Sequence, residues 1–181
     1  MQATLNFPPA LLLQAQNVKV LFLDVDGVLT DGGLLYSDTG ETLKRFNTLD
    51  GHGLKMLQKA GITPAVITGR DSQPLRARLA ALGIIHAHYG IEDKRPAAEQ
   101  TLQALGLGWD QAAAMGDDWP DLPMMRPCAF AAAPANAHTE VVACSHFVSR
   151  LQGGHGAVRE VCDLLMVANG RYADLLGAYL A

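Results

Sequence analysis

A chain of 181 residues is long enough for one compact domain with a sizeable core, and 49% hydrophobic against 18% charged residues excludes a disordered or fibrous polymer. The formal net charge of −4, without a block of Lys and Arg to neutralise successive phosphates, argues against a nucleic-acid partner. The 3 cysteines, Cys128, Cys144 and Cys162, have neither metal-ligand spacing nor the even number of a disulfide framework, so a reducing, cytoplasmic setting is expected.

In chain order, residues 1–17 hold a short apolar piece at 10–13 but lack the basic start and longer apolar run of a secretion signal. No later stretch is long enough to span a bilayer, so no membrane partner is expected. Residues 20–23, VLFL, read as a strand buried on both faces, after which Asp24, Asp26 and Asp31 crowd negative charge at its carboxyl end. A polar turn with Gly27 at the bend is the plain alternative; a bound cation or a catalytic task is the other. Two extended pieces, 34–36 and 42–46, flank a turn at 37–40 and predict a β-hairpin. Leu54, Met56 and Leu57 before Gly61 predict a helix over 50–61. ITPAVITGRD then repeats the pattern of a buried strand with a polar end. A helix over 72–83 follows, with Ser72 as cap, Pro74 in its first turn and Gly83 as its stop. A short strand at 84–89, a helix at 95–105, a strand at 112–118 and a short helix after Asp118 come next. Strands at 128–133 and 146–149 and a helix at 156–168 complete the pass. Strands alternating with helices predict an α/β fold, a parallel sheet with helices on both faces.

Four polar clusters close predicted strands or precede helices: DVDGVLTD, TGRD, EDK and GDDWPD. In an open α/β sheet all four face the same edge. Together they supply a carboxylate pair, a hydroxyl, an ammonium and a second carboxylate group, the parts of a Mg²⁺-dependent phosphoryl-transfer site. Singly, Thr68 reads as well as a strand residue, and Lys94 as a solvated lysine at a helix start.

The ordered set D-x-D-G-V-x-T-D, I-T-G-R, a lone Lys and G-D-D-x-x-D resembles the haloacid-dehalogenase superfamily of phosphatases. TDGGLLYSDTGETLKRFNTLDGHGLKML and GGHGAVREVCDLL extend the likeness to the 3-deoxy-D-manno-octulosonate 8-phosphate (KDO 8-phosphate) phosphatase family. The resemblance implies a single Rossmann-like domain over 1–181, with a core at 17–168, a tail at 169–181 and a hairpin insert after the first strand. The intervals between the motifs leave no room for a cap domain. It further implies Asp24 as nucleophile, Asp26 as general acid and base, and Thr68 and Lys94 as stabilisers of the transferring phosphoryl group. Mg²⁺ would lie between Asp24, the Asp26 carbonyl and Asp117, with Asp121 orienting its water ligands.

In similar sugar-acid phosphatases the segment matching Asn47, Thr48, Leu49, Asp50 and Gly51 approaches the substrate, as do residues matching Lys55, Gly69, Arg70 and Arg78. These cations suit a phosphorylated sugar acid. Lys55 and Arg78 also read as plain exposed helix charges. His155 stands in GGHG where that family commonly presents Arg or Lys, in a tail that reaches a neighbouring active site. The missing cap leaves a wall for neighbouring subunits to supply, and the resemblance implies a homotetramer whose hairpins pair across subunits. The implied role is release of the free sugar acid for lipopolysaccharide synthesis. Alternatives are a nine-carbon N-acylneuraminate-type 9-phosphate as substrate, a phosphoacceptor receiver, and a non-catalytic assembly module. A receiver places its acidic pair before the acceptor strand, against the order here.

Overall fold

The computed structural model describes residues 5–180; residues 1–4 and 181, the ends of the expected domain, lie outside the described residues. The first helix, α1 (Pro9–Ala15), begins on a proline that needs no intrahelical donor there. β1 (Val20–Leu23) follows, with every side chain buried. The hairpin comes next as β2 (Leu35–Ser37) and β3 (Gly40–Leu43), a separate antiparallel pair. Its second strand is earlier and shorter than the expected 42–46, because residues 44–46 leave the ladder to cross towards α2 (Thr48–Lys59). β4 (Thr63–Ile67), α3 (Gln73–Leu82) and β5 (His86–His88) continue the alternation. Next stand α4 (Lys94–Leu105), β6 (Ala112–Met115), α5 (Leu122–Met125) and β7 (Phe130–Ala133). α6 (Thr139–Ala143), β8 (Phe147–Val148), α7 (Ala157–Ala168) and α8 (Tyr172–Gly177) close the chain.

The main sheet is parallel, in the order β5-β4-β1-β6-β7-β8. Its central strands β1, β6 and β7 are continuous apolar runs because both faces are covered, whereas the edge strand β5 carries His86 and His88, both half-buried. Along β1, Leu21 and Leu23 point to a layer built with Leu54 and Leu57 of α2, Leu75 and Leu79 of α3, and the apolar face of α7. Val20 and Phe22 point the other way, towards Ala98 and Leu102 of α4 and Met124 and Met125 of α5. Parallel register sets Leu23 beside Val66 on one side and Met115 on the other. The residues that follow these three positions therefore emerge side by side at one edge.

Several helix ends obey local chemistry. Asn47 caps α2, Asp93 caps α4, and Gly83 ends α3 in a left-handed turn at φ 71°. Ser72 precedes α3 as expected, but its side chain makes no capping bond and its buried hydroxyl has no partner among the described residues. The tail beyond residue 168 folds back on its own chain. Tyr172 and Leu175 of α8 pack against the main core, and the Tyr179 ring meets that of His52 edge-on at 5.7 Å. Between Leu23 and Thr63 the only inserted elements are the hairpin and α2, so no cap domain is present there. Among the described residues no helix is long and apolar enough to cross a membrane.

Candidate active site

At the carboxyl edge of the sheet a cleft of about 560 Å³ is lined by residues of all four polar clusters, among them Asp24, Asp26, Thr68, Lys94, Asp117 and Asp121. Asp24 follows β1 directly and is 7% exposed. Lys94, first residue of α4, is not the solvated lysine that its position in sequence allows: it is 3% exposed and donates to Asp24 Oδ1 at 2.5 Å and Asp121 Oδ1 at 2.6 Å. The second oxygen of Asp121 accepts from the main-chain N–H of Asp117 at 2.9 Å and of Asp118 at 3.3 Å. Asp121 is therefore committed to holding Lys94 and the loop, whereas Asp24 Oδ2 and the Asp117 carboxylate remain for a cation.

Burial, then the neighbouring Asp121 carboxylate, push Asp24 up to about 6 despite Lys94. Burial, then Asp24 and Asp121, push Asp117 up to about 7. One lysine thus leaves negative charge uncompensated. Carboxylate oxygens of Asp24, Asp117 and Asp121 lie within 4.8 Å of one another. Gly27, at φ 97°, gives Asp117 its space, since a Cβ there would stand 2.1 Å from Asp117 Oδ2. Hard oxygen donors, excess charge and this close approach fit Mg²⁺.

Thr68 follows β4 and is buried; its hydroxyl accepts from the Arg70 N–H at 3.2 Å, which leaves its own proton to donate. Gly69 and Arg70 line the same cleft, with Arg70 Nε 3.7 Å from Asp26 Oδ2. Asp118 caps the short turn after it, accepting from Trp119 N at 2.8 Å. Asp31, third of the clustered aspartates, turns away to pair with Arg45.

The rest of the expected substrate-binding set stands outside this cleft. Asn47 accepts from Leu49 N at 2.7 Å as a helix cap and donates to Gly154 O at 3.2 Å. Asp50, 1% exposed, accepts from Arg159 N at 2.7 Å and Gly156 N at 3.3 Å, so it anchors the start of α7. A Cβ on Gly51 would strike the Arg78 guanidinium, which donates to Asn47 O at 3.2 Å. Thr48, Leu49 and Lys55 are exposed on α2. The segment is a joint between α2, α3 and the loop before α7, because its polar groups are consumed in capping and packing.

The GGHG turn is also bound to its own chain. Gly153 lies so close to the loop after β1 that a Cβ would stand 1.8 Å from Gly27 O. Gly154 N donates to Val28 O at 3.1 Å, and Asn136 ties both sides, accepting from Gly153 N at 2.7 Å and donating to Gly27 O at 3.1 Å. His155 is exposed, with Nδ1 2.9 Å from Gly153 O and Nε2 3.4 Å from Arg45. Sequence reasoning missed Lys44 and Glu41. Lys44 donates to Asp26 Oδ1 and lies 2.8 Å from Glu41 Oε1, its side chain 1% exposed. The charged pair in GETLKRF, inside a piece predicted as a surface hairpin, was the available signal.

No family model matches the chain. Among curated proteins it is 39% identical over 169 residues to the KDO 8-phosphate phosphatase KdsC of Salmonella typhimurium, covering 93% of this chain and 90% of that one. It is 40% identical over 166 residues to KdsC of Escherichia coli K12, covering 92% and 88%. Among solved structures, the KDO 8-phosphate phosphatase of Moraxella catarrhalis, in complex with magnesium, phosphate and KDO, superposes with a TM-score of 0.91 at 35% identity, covering 94% of this chain and 98% of that one. The Yersinia pestis enzyme does so at 0.89 and 39%, covering 91% and 89%. Likeness of this extent, over a parallel sheet that brings the four motif clusters to one edge, makes the chain a member of the 3-deoxy-D-manno-octulosonate 8-phosphate phosphatase family of the haloacid-dehalogenase superfamily.

Proposed function

We propose that this chain is a Mg²⁺-dependent phosphomonoesterase that hydrolyses KDO 8-phosphate to the free sugar acid and phosphate, a step towards lipopolysaccharide. The observation that carries the reading is the convergence of Asp24 and Asp26 after β1, Thr68 after β4, Asp117 after β6 and Lys94 at the start of α4 on one cleft. Asp24 attacks phosphorus, forming an acyl phosphate as the bond from phosphorus to the sugar oxygen breaks. Asp26 donates a proton to that oxygen, then takes one from the water that attacks the acyl phosphate and returns Asp24. Thr68 donates to a phosphoryl oxygen, and Lys94 holds Asp24 in line while offsetting charge on the phosphoryl group. Asp24, the Asp26 carbonyl and Asp117 would hold Mg²⁺, which would supply the charge that lets an anionic nucleophile approach an anionic phosphate.

Arg70 is the guanidinium in the cleft that suits the substrate's carboxylate. We also propose a cytoplasmic homotetramer, with one domain per chain. The exposed Leu35, Tyr36 and Leu43 of the hairpin support association, being apolar side chains at the rim of a site without a cap. In that assembly the exposed His155 and Lys55 reach the substrate of a neighbouring copy, whereas Arg78 holds the Asn47 carbonyl of its own chain. Acid quench during turnover followed by borohydride reduction tests the chemistry: a phosphorylated Asp24 becomes homoserine, visible by peptide mass. Unmodified Asp24, or reduction at another carboxylate, overturns the reading.

A further inference from the structure

The hairpin does more than cover a rim. Lys44, just past β3, is covered along its side chain, which is 1% exposed, and its partners are Asp26 Oδ1 and Glu41 Oε1. Glu41 lies on the same hairpin with its side chain 10% exposed, and its other oxygen stands 3.9 Å from Arg70 Nη1. Arg70 in turn donates to the Tyr36 hydroxyl at 3.1 Å. An ammonium is rarely buried without matched carboxylates, since desolvation opposes its charge. Here the match joins the hairpin to the residue two positions after the nucleophile.

The contact is specific to one oxygen. Asp26 lines the cleft; Lys44 occupies its Oδ1, whereas Oδ2 stands 3.7 Å from Arg70 Nε and takes no side-chain hydrogen bond among the described residues. A carboxyl that serves as acid and then base needs one defined oxygen at the leaving group, within hydrogen-bond reach. A cation fixed on the opposite oxygen supplies that selection and locks the side-chain torsions. We propose that Lys44, held by Glu41, is the positioning residue of Asp26, which makes the hairpin part of the catalytic apparatus of its own chain. The inference rests on the acid–base role given to Asp26 above.

The test uses leaving groups. Steady-state kcat/KM reports the step in which the ester bond breaks, and only a poor leaving group needs a proton there. Full-length Lys44→Met, measured on KDO 8-phosphate and on p-nitrophenyl phosphate, is expected to lose at least thirtyfold on the sugar phosphate. The loss on the aryl ester is expected to be at least tenfold smaller. Because the readout is a ratio within one preparation, partial unfolding cancels; Lys44→Arg, which keeps a cation for Asp26, should hold the wild-type ratio to within about threefold. Equal losses on both esters would make Lys44 a phosphate ligand or a structural residue and overturn the proposal, as would an unchanged rate on the sugar phosphate. Should wild type refuse KDO 8-phosphate, the substrate assignment fails alone, and any alkyl phosphate it does hydrolyse serves for the ratio.

Discussion

Asp24 and Asp117 are held in a site whose charge balance demands a cation, and this has a sign in pH. Their folded-state values, about 6 and about 7, lie above the ordinary 3.8 of an unfolded aspartate, so the native state binds more protons than the unfolded chain between those limits. Metal-free protein is therefore expected to lose stability as pH rises from about 4 through about 7. Mg²⁺ replaces the protons, so its increment to the melting temperature should be larger at pH 8 than at pH 5.5. Scanning calorimetry at both values, with EDTA and with Mg²⁺, checks this; an equal increment would mean that the ion binds elsewhere. Asp24→Asn should remove turnover by at least about a thousandfold, because an amide is not a nucleophile. Its unfolding free energy should stay within about 1 kcal/mol of wild type, since one of several repelling carboxylates is lost along with a partner of Lys94. Phosphate release near the wild-type rate would remove Asp24 from the mechanism.

Among the elements, the loop before α7 supports the catalytic loop from behind. Gly153→Ala places a methyl against the Gly27 carbonyl, with no flexible atom to yield, and is expected to cost about 2 kcal/mol or more. Gly177→Ala, in α8 with nothing within 4 Å, is the matched control and should be neutral or slightly stabilising. Urea unfolding of both variants decides it, and equal midpoints would show that the loop gives way. The same loop marks how far the sequence could be read. β1, β4 and β6 were legible because unbroken apolar runs ending in aspartate or threonine have few other uses. The resemblance implies a neighbour for GGHG, but its packing on Gly27 of its own chain was not legible, since periodicity says nothing about which backbone a glycine pair touches. The bond from Asp50 to the start of α7 was hidden for the same reason: a carboxylate in a first helical turn looks alike whether it meets a ligand or caps a distant helix. α1 and α6 lack a full amphipathic repeat and stayed unseen. Lys44 was hidden because hairpin charges are ordinarily solvated.

At the scale of the molecule, an open cleft of about 560 Å³ beside an apolar hairpin is the outstanding feature. Light scattering should give four times the mass of one chain, and replacing Tyr36 and Leu43 by serine should shift the population to smaller species. A wild-type monomer with full activity would refute the assembly. Selectivity without a cap must come from the fit of one sugar acid to the cleft and its surroundings. The most direct measurement is phosphate release across a panel of sugar phosphates, with and without Mg²⁺, including a nine-carbon sugar-acid 9-phosphate and neutral hexose phosphates. The kcat/KM for KDO 8-phosphate is expected to be at least tenfold above that of every other member, abolished by EDTA and restored by Mg²⁺. A flat profile, a preference for the nine-carbon acid, or full activity in metal-free buffer would contradict it.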